Sequence, residues 1–263
     1  MSASIWIWII SGLILAGVAY SLARILKIYA LVDLVWSLGI LLGTWALVLT
    51  NGLDSMRTYL VLGIASVWSL RLSLHLLKDR IIPRHEDPRY LNLLVRWGAA
   101  APRNFSLLFL AQLPLVAIFL VPIKIALGNP QPIGIFDILA VWIALIALGG
   151  EGLADRQLAA FRNNPKNTGK VCSTGLWRYS RHPNYFFEWI LWWAYVMHSI
   201  GSTFWIWTLL GPLVMYIFLR YLTGIPPAEY SSLKRRGAAY AQYQATTSPF
   251  FPWKPKIKNA SPK

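Results

Sequence analysis

The 263-residue chain is too apolar for an ordinary soluble domain, since 56% of its residues are hydrophobic, only 13% are charged and its mean hydropathy is +0.49. Its net charge of +15 would suit nucleic acid, but the cations occur in blocks beside apolar stretches. Membrane topology and anionic lipid headgroups produce that pattern. The composition indicates an integral membrane protein and argues against a nucleic-acid-binding one.

Seven apolar stretches approach the length of about 20 residues that a helix needs to cross a bilayer. In chain order they cover residues 4–22, 32–50, 58–77, 105–126, 133–150, 184–200 and 203–222. The first is interpreted as a span and not as a signal peptide, because no small-residue cleavage site and soluble body follow it. The sequence predicts an all-α fold, a polytopic membrane bundle of about seven transmembrane helices.

Charge predicts the orientation of this bundle. Basic residues follow the first, third, fifth and seventh spans, whereas the loops after the even-numbered spans, NGLDSMR, GNPQPI and SIGST, carry almost no positive charge. By the positive-inside rule the N-terminus lies outside and the C-terminus in the cytoplasm. We find no internal repeat or flexible linker, so residues 1–263 are expected to form one membrane domain.

The single cysteine, Cys172, has no cysteine or histidine at a zinc-ligand spacing, so we expect neither an intramolecular disulfide nor a metal site. His75 and His198 stand alone on apolar spans and are interpreted as packing or interface residues. Three cytoplasmic segments are longer than a connection requires, and function is expected to concentrate in them: 78–104, 151–183 and 223–263.

The segment GEGLADRQLAAFRNN, residues 150–164, continues the fifth helix. Glu151, Asp155, Leu158 and Arg162 are separated by four, three and four residues, which places them on one helical face. Carboxylates accept hydrogen bonds from ribose hydroxyls or an amide, and arginine binds phosphate oxygens as a planar fork. The alternative is an interfacial helix with ion pairs of its own.

The next loop brings Arg178, Arg181 and His182 close together in sequence, just before Pro183 at the first turn of the sixth helix. The start of a helix presents free amides and the positive end of its dipole. The loop is therefore interpreted as a pyrophosphate receptor.

Within the sixth helix, Asn184 and Glu188 are four residues apart and share a face. A carboxylate inside a membrane helix is costly, so Glu188 is expected to face the bundle interior or a wet cavity. Alternatively, it stays at headgroup level and pairs with Arg181 or Lys170.

In the C-terminal tail, Glu229, Arg236, Tyr240 and Tyr243 are spaced by seven, four and three residues, which again favours one helical face. A basic amphipathic helix on the membrane surface is the alternative. Three polar faces are thus predicted on the cytoplasmic side.

RYSRHPNYFFEW, within the stretch from Asp155 to Glu188, and the tail TGIPPAEYSSLKRRGAAYAQYQATTSPFFPW resemble the DUF1295 family of bacterial membrane proteins. LVDLVWSLGILLGTW and RHEDPRYLNLLVRWG are also similar to this family. It belongs to the superfamily of steroid 5α-reductases and isoprenylcysteine carboxyl methyltransferases. The resemblance implies a multi-pass protein of the bacterial inner membrane, with substrate-side helices in residues 1–126 and a cofactor-binding region in 127–263.

By resemblance to steroid reductases the cofactor is NADPH. Asp155 and Arg162 match positions for its nucleotide half, Tyr179 matches an aromatic position, and Asn184 with Glu188 matches a pair near the nicotinamide amide. Glu151 stands where those enzymes have asparagine, and Leu233 replaces a tyrosine that contacts the cofactor. The expected cofactor-binding set is Arg89, Asp155, Arg162, Arg178, Tyr179, Arg181, His182, Asn184, Glu188, Glu229, Arg236 and Tyr240.

The implied reaction is hydride transfer from NADPH to the β-carbon of a lipophilic enone, steroid-like or another lipid, with protonation of the α-carbon. The Gln-Glu pair and the tyrosine with which steroid reductases bind the carbonyl have no match here. Asp33, if protonated, could donate a hydrogen bond to the enolate, or it could brace a helix. Tyr90 is the second catalytic candidate. Arg89 could clamp the adenosine or its phosphate, or close a local turn with Glu86 or Asp87.

Two alternatives remain. Isoprenylcysteine carboxyl methyltransferases share an RHPxY-type element, so S-adenosylmethionine could bind near Arg181, His182 and Glu229. A non-enzymatic lipid-binding protein would also explain the missing substrate-side residues. The expected partners are a lipophilic small molecule and membrane lipids, with no nucleic acid and no obligate protein partner.

Overall fold

A computed structural model describes residues 3–51 and 55–256. Within these ranges every regular element is helical, and the β-type pairing consists of one isolated bridge between Ser180 and Ser248. The prediction of an all-α fold is confirmed.

The described ranges contain eleven α-helices, which several short 3-10 and π-helical turns extend or connect. Their bounds are α1 Ala3–Leu26, α2 Leu31–Asn51, α3 Met56–Leu76, α4 Pro88–Trp97, α5 Ala101–Leu110, α6 Gln112–Leu127, α7 Ile135–Asn163, α8 Pro183–Ser199, α9 Leu210–Ile217, α10 Ile225–Arg236 and α11 Ala238–Thr246.

Six helical stretches of the described chain are long and apolar enough to cross a membrane, where the sequence suggested about seven. They are Ile5–Leu26, Leu31–Thr50, Met56–Ile81, Pro88–Leu127, Ile135–Asn163 and Trp205–Arg236. The predicted span 184–200 forms α8, whose 17 residues fall short of the usual length of about 20. Length and composition support a multi-pass membrane protein; the orientation stays a prediction.

The chain divides into two compact units. The first unit comprises Met1–Val141 and Ala194–Gly211, and the second comprises Trp142–Trp193 and Pro212–Lys263. Most of the predicted cofactor residues belong to the second unit, whereas Asp33, Arg89 and Tyr90 belong to the first.

Carboxylates cap two helices of the first unit. The Glu86 side chain accepts hydrogen bonds from the backbone N–H groups of Tyr29 and Ala30 just before α2. Asp87 caps α4, and Pro88 occupies the first turn of that helix, where its missing N–H costs nothing. The segment before α4 is thereby tied to the start of α2.

Two glycines let α2 and α6 of the first unit pack closely. A Cβ at Gly39 would lie 3.0 Å from the Val116 side chain, and one at Gly43 would overlap the side chain of Leu120. Small residues are the usual means by which membrane helices approach each other, because packing replaces the hydrophobic effect in lipid.

A buried polar network in the first unit joins α3 to the first residues of α7 and the last residues of α8. Arg57 donates from Nε to Asp137 Oδ1 at 2.7 Å and from Nη2 to Asp137 Oδ2 at 2.8 Å. It also donates to three carbonyl oxygens in the 129–132 loop. Asp137 also accepts from Gly134 N–H at 3.0 Å and lies 2.8 Å from Nδ1 of His198. His198 is fully buried and therefore packs inside the unit as predicted, but it is not isolated, because it belongs to the network of Arg57 and Asp137.

In the second unit, α7 and α8 make close contact because residue 150 has no side chain: a Cβ at Gly150 would overlap the ring of Phe187. The loop between these helices is held to α7 by Trp177, whose indole N–H donates to the Ala154 carbonyl at 3.0 Å. Large aromatic side chains fill the rest of this packing, including Trp189, Tyr216 and Phe250. Close helix contact, this hydrogen bond and aromatic packing thus hold α7, α8 and the loop between them together in the second unit.

Candidate functional site

The loop before α8 is fixed to the C-terminal tail by backbone and side-chain hydrogen bonds. Arg181 N–H donates to the Ser248 carbonyl at 2.8 Å, and Ser180 Oγ donates to the Phe250 carbonyl at 2.8 Å. The hydroxyl of Tyr243 donates to two carbonyls of the loop, and burial raises the pKa of this phenol. Loop and tail therefore form one ordered polar layer in the second unit.

At the centre of this layer lies a network of Arg181, His182 and Glu229. Arg181 donates to Glu229 Oε1 at 2.5 Å and to the carbonyls of Gln244 and Thr247 at 2.9 and 2.5 Å. His182 Nε2 lies 3.3 Å from the same carboxylate oxygen, and burial lowers the pKa of His182 below its ordinary value. The other oxygen of Glu229 accepts from the Gln244 amide at 2.9 Å.

This network changes the interpretation of the predicted pyrophosphate receptor. Arg181 and His182 are 8% and 7% exposed, and they bind groups of the protein itself. Of the three residues that predicted the receptor, Arg178 alone has an exposed side chain. Sequence spacing could not distinguish them, because all three fall within five consecutive positions.

Asp155, Asn184 and Glu188 occupy neighbouring positions on α7 and α8. The amide nitrogen of Asn184 donates to Asp155 Oδ1 at 3.3 Å. An ionised carboxylate only accepts hydrogen bonds, so the amide nitrogen of Asn184, and not its oxygen, points at Asp155. The amide oxygen of Asn184 is buried and has no hydrogen-bond partner in the described structure. Glu188, one turn further along α8, is 6% exposed, and Glu151, one turn before Asp155, is 5% exposed. The structure thus places on successive turns of α8 the pair that the resemblance to steroid reductases puts near a cofactor amide.

The remaining predicted cofactor residues of the second unit lie around the loop and the tail. Arg162 is exposed near the end of α7, and Arg236 donates from Nε to the Lys170 carbonyl at 2.9 Å. Tyr179 is 43% exposed. Tyr240 is 5% exposed, and burial together with the nearby Glu229 carboxylate raises its pKa to about 12.

In the first unit the structure joins the two predicted catalytic residues. Tyr90 Oη donates to Asp33 Oδ1 at 2.6 Å, and Arg89 Nη2 donates to Asp33 Oδ2 at 2.8 Å. Asp33 is the acceptor in both contacts, so this geometry does not fit the proposed protonated Asp33 that donates a hydrogen bond. The hydrogen-bond donor of this pair is the hydroxyl of Tyr90, a residue that is 7% exposed.

Arg89 also closes the local turn that the sequence allowed. Its Nε and Nη2 donate to Asp87 Oδ2 at 3.0 and 2.9 Å, and its backbone N–H donates to Asp87 Oδ1 at 2.7 Å. Arg80 forms a further ion pair with Asp87. Sequence reasoning missed Arg80 and the capping role of Asp87, although an acidic residue directly before proline is a helix-start signal. A role for Arg89 with a nucleotide stays a prediction.

Comparison with known proteins identifies one family. The family model described as a protein of unknown function, DUF1295, matches residues 19–247, which is most of the chain. No curated protein and no solved structure matches the sequence. The family recognised from the RYSRHPNYFFEW segment and the tail is therefore confirmed.

Proposed function

We propose that this chain, which belongs to the DUF1295 family, is a membrane-embedded, NADPH-dependent reductase of a lipophilic enone. The overall change adds a hydride to the β-carbon of a carbon-carbon double bond conjugated to a carbonyl and a proton to its α-carbon. The resemblance to steroid 5α-reductases motivates the reaction class, and the polar side chains of the second unit support a nicotinamide site.

One observation carries the proposal: the amide oxygen of Asn184 is buried and lacks a donor within the described residues. Leaving such an acceptor unsatisfied costs about 1–3 kcal/mol, so a ligand N–H that meets it gains both affinity and orientation. The carboxamide of nicotinamide offers two N–H donors. Glu188 is a further buried acceptor one turn along the helix, and Asp155 fixes the Asn184 amide.

The other residues divide into two roles. Arg162 is an exposed cation suited to the phosphate oxygens of NADPH, and the exposed ring of Tyr179 suits stacking on a base. Arg181, His182 and Glu229 act through the loop and tail that they hold in place. Tyr240 is buried beside this network, close to the Glu229 carboxylate, and Arg236 binds the Lys170 carbonyl.

On the substrate side we propose Tyr90 as the proton donor and Asp33 as the residue that positions it. NADPH, when bound, supplies the hydride. The Tyr90 hydroxyl, now directed at Asp33, gives its proton to the α-carbon and regains one from water. Arg89 holds the Asp33 carboxylate in the orientation that receives the phenol. With the predicted topology, the nucleotide enters from the cytoplasm and the enone from the bilayer.

Ligand binding tests the cofactor proposal. Detergent-purified protein is titrated with NADPH and with S-adenosylmethionine while thermal stability is followed. We expect NADPH to raise the melting temperature and to bind about tenfold more weakly to Asn184→Ala, since a neutral ligand hydrogen bond contributes about 1 kcal/mol and an orphaned group adds to the loss. Asn163→Ala, on the exposed end of α7, serves as the control. Tighter binding of S-adenosylmethionine would favour the methyltransferase, and binding of neither ligand would favour a lipid-binding protein.

Turnover tests the substrate-side assignment. Oxidation of NADPH is followed with a panel of steroid-like, polyprenyl and fatty enones. Tyr90→Phe is expected to lower the rate about 100-fold or more, which is typical for loss of a general acid, while NADPH binding stays unchanged. Tyr59→Phe, at a residue that is 54% exposed, provides the matched control. Full activity of Tyr90→Phe would remove Tyr90 from the mechanism.

A further inference from the structure

A groove of about 530 Å³ opens in the second unit between the 171–178 segment and helix α11. Sites for small organic ligands have volumes of roughly 300–1,000 Å³, so the groove has room for more than a single inorganic ion. Its polar lining includes Ser173, Thr174, Arg178, Gln242, Thr246 and Thr247. Asp155, Asn184 and Glu188 are not part of this lining, so the groove is distinct from the nicotinamide site proposed above.

The lining favours a phosphate group. The Arg178 side chain is exposed, and its guanidinium makes no hydrogen bond or ion pair with any residue that the structure describes. A guanidinium presents a planar fork that matches two oxygens of a phosphate. Serine and threonine hydroxyls and the Gln242 amide add neutral donors around it, and none of the lining residues is acidic.

The chain around the groove reinforces this selectivity. Residues 156–187 contain six Lys or Arg and no Asp or Glu, and residues 230–256 contain five Lys or Arg and no Asp or Glu. Glu229, which lies next to the second of these segments, is bound to Arg181 and Gln244. A net excess of positive charge on both sides of a concave surface concentrates anions there.

The walls of the groove are fixed by contacts behind them. Gly175 adopts a positive φ of 60°, and a Cβ at this position would collide with the Gln157 side chain. That side chain accepts from Leu176 N–H at 2.9 Å, and the Tyr243 hydroxyl donates to the Trp177 carbonyl. A wall that is already ordered loses little entropy when a ligand binds.

We propose that this groove binds the phosphoryl group of a small organic phosphate, with Arg178 as its main ligand. The hydroxyl-bearing wall donates to the remaining oxygens, and the rest of the volume receives the organic part. The ligand is either a soluble phosphate ester or the headgroup of an anionic lipid. The inference does not rest on the proposed reductase activity, because a phosphate probe tests the groove without any nicotinamide.

The experiment uses the full chain in two arms. In the soluble arm, protein in neutral detergent is titrated calorimetrically with glycerol 3-phosphate and with inorganic pyrophosphate. In the lipid arm, protein in nanodiscs of phosphatidylcholine with or without phosphatidic acid is released and analysed by native mass spectrometry for retained anionic lipid. Arg178→Gln is compared with Arg156→Gln, an exposed arginine of the same unit that does not line the groove. Gln242→Leu provides a second variant inside the groove.

We expect binding in one arm, and that arm identifies the source of the phosphate. Arg178→Gln should weaken it about tenfold or more, as loss of a charge-assisted contact does. Gln242→Leu should weaken it less, and Arg156→Gln should leave it unchanged. Absence of binding in both arms, or equal weakening by the two arginine variants, would overturn the proposal, because the second result would mean diffuse attraction to a basic surface.

Discussion

Replacing Asp137 by asparagine tests whether the buried charged network of the first unit is a main source of its stability. Asp137 accepts two hydrogen bonds from Arg57, one from the Gly134 backbone, and lies within hydrogen-bond distance of His198. Asparagine has nearly the same shape, so Asp137→Asn removes the charge without opening a large cavity.

The expected loss follows from burial. The side chains of Arg57 and Asp137 are 5% and 4% exposed. Removing one partner of a buried ion pair typically costs about 3–5 kcal/mol, because the other charge stays buried and uncompensated. Arg57 keeps its three carbonyl acceptors in the 129–132 loop, which places the loss near the lower end. We expect the free energy of unfolding to fall by about 3 kcal/mol.

Unfolding is measured by titrating mixed micelles with sodium dodecyl sulfate and following tryptophan fluorescence. Asp79→Asn is the matched control, because Asp79 is 36% exposed and lies 3.8 Å from Arg80, so its exposed pair should contribute less than about 1 kcal/mol. Equal effects of the two substitutions would refute the reasoning, since they would mean that the guanidinium in the network is satisfied without its carboxylate.

Three further predictions concern the second unit. Burial lowers the pKa of His182, so the unfolded chain takes up a proton more readily than the folded one. Stability should therefore fall as the pH drops through about 6.5. Thermal melts between pH 5 and 8 should show this decrease, and His182→Gln should reduce it. Tyr243→Phe removes buried hydrogen bonds to two carbonyls and should cost about 1–3 kcal/mol, whereas Tyr230→Phe at an exposed position should be neutral in the same denaturation assay. Gly150→Ala should destabilise the protein by about 1–3 kcal/mol, because the new Cβ meets a phenylalanine ring of α8. Gly149→Ala, at a position that faces open space, should be neutral or stabilising. Equal melting temperatures of the two variants would contradict the close packing of α7 and α8.

Local regularities of the sequence predicted much of this protein. Apolar runs indicated the helices and which of them are long enough to cross a membrane. The exception is α8, whose 17 residues fall short of the usual length of a span. Spacing by four placed Asn184 and Glu188 on one face of α8. The predicted fifth span forms α7, which continues through Asp155 to Asn163 as expected. These inferences succeeded because helical geometry relates residues three and four positions apart without reference to the rest of the chain.

Contacts between distant segments had to come from the structure. Asp33 and Tyr90 are separated by 57 positions, and Arg181 and Glu229 by 48. The sequence suggested Arg181 as a phosphate ligand, and Asp33 either as a hydrogen-bond donor or as a residue that braces a helix. In the structure Arg181 binds groups of the protein itself, and Asp33 accepts hydrogen bonds from Tyr90 and Arg89. Arg57, Asp137 and His198 attracted no functional interpretation, because each is an isolated polar residue in its own segment.

Composition and periodicity alone indicated an all-helical, multi-pass membrane protein, because apolar length can be read one segment at a time. The DUF1295 family came from the resemblance of the RYSRHPNYFFEW segment and the tail, and the family model confirms it. Only the tertiary structure decided which cationic side chains are bound by groups of the protein itself and which remain exposed. A charged side chain is bound by whatever the fold brings within about 3 Å of it. That choice turns Arg181 inward, leaves Arg178 at an open groove, and leaves the amide oxygen of Asn184 buried without a donor in the described chain.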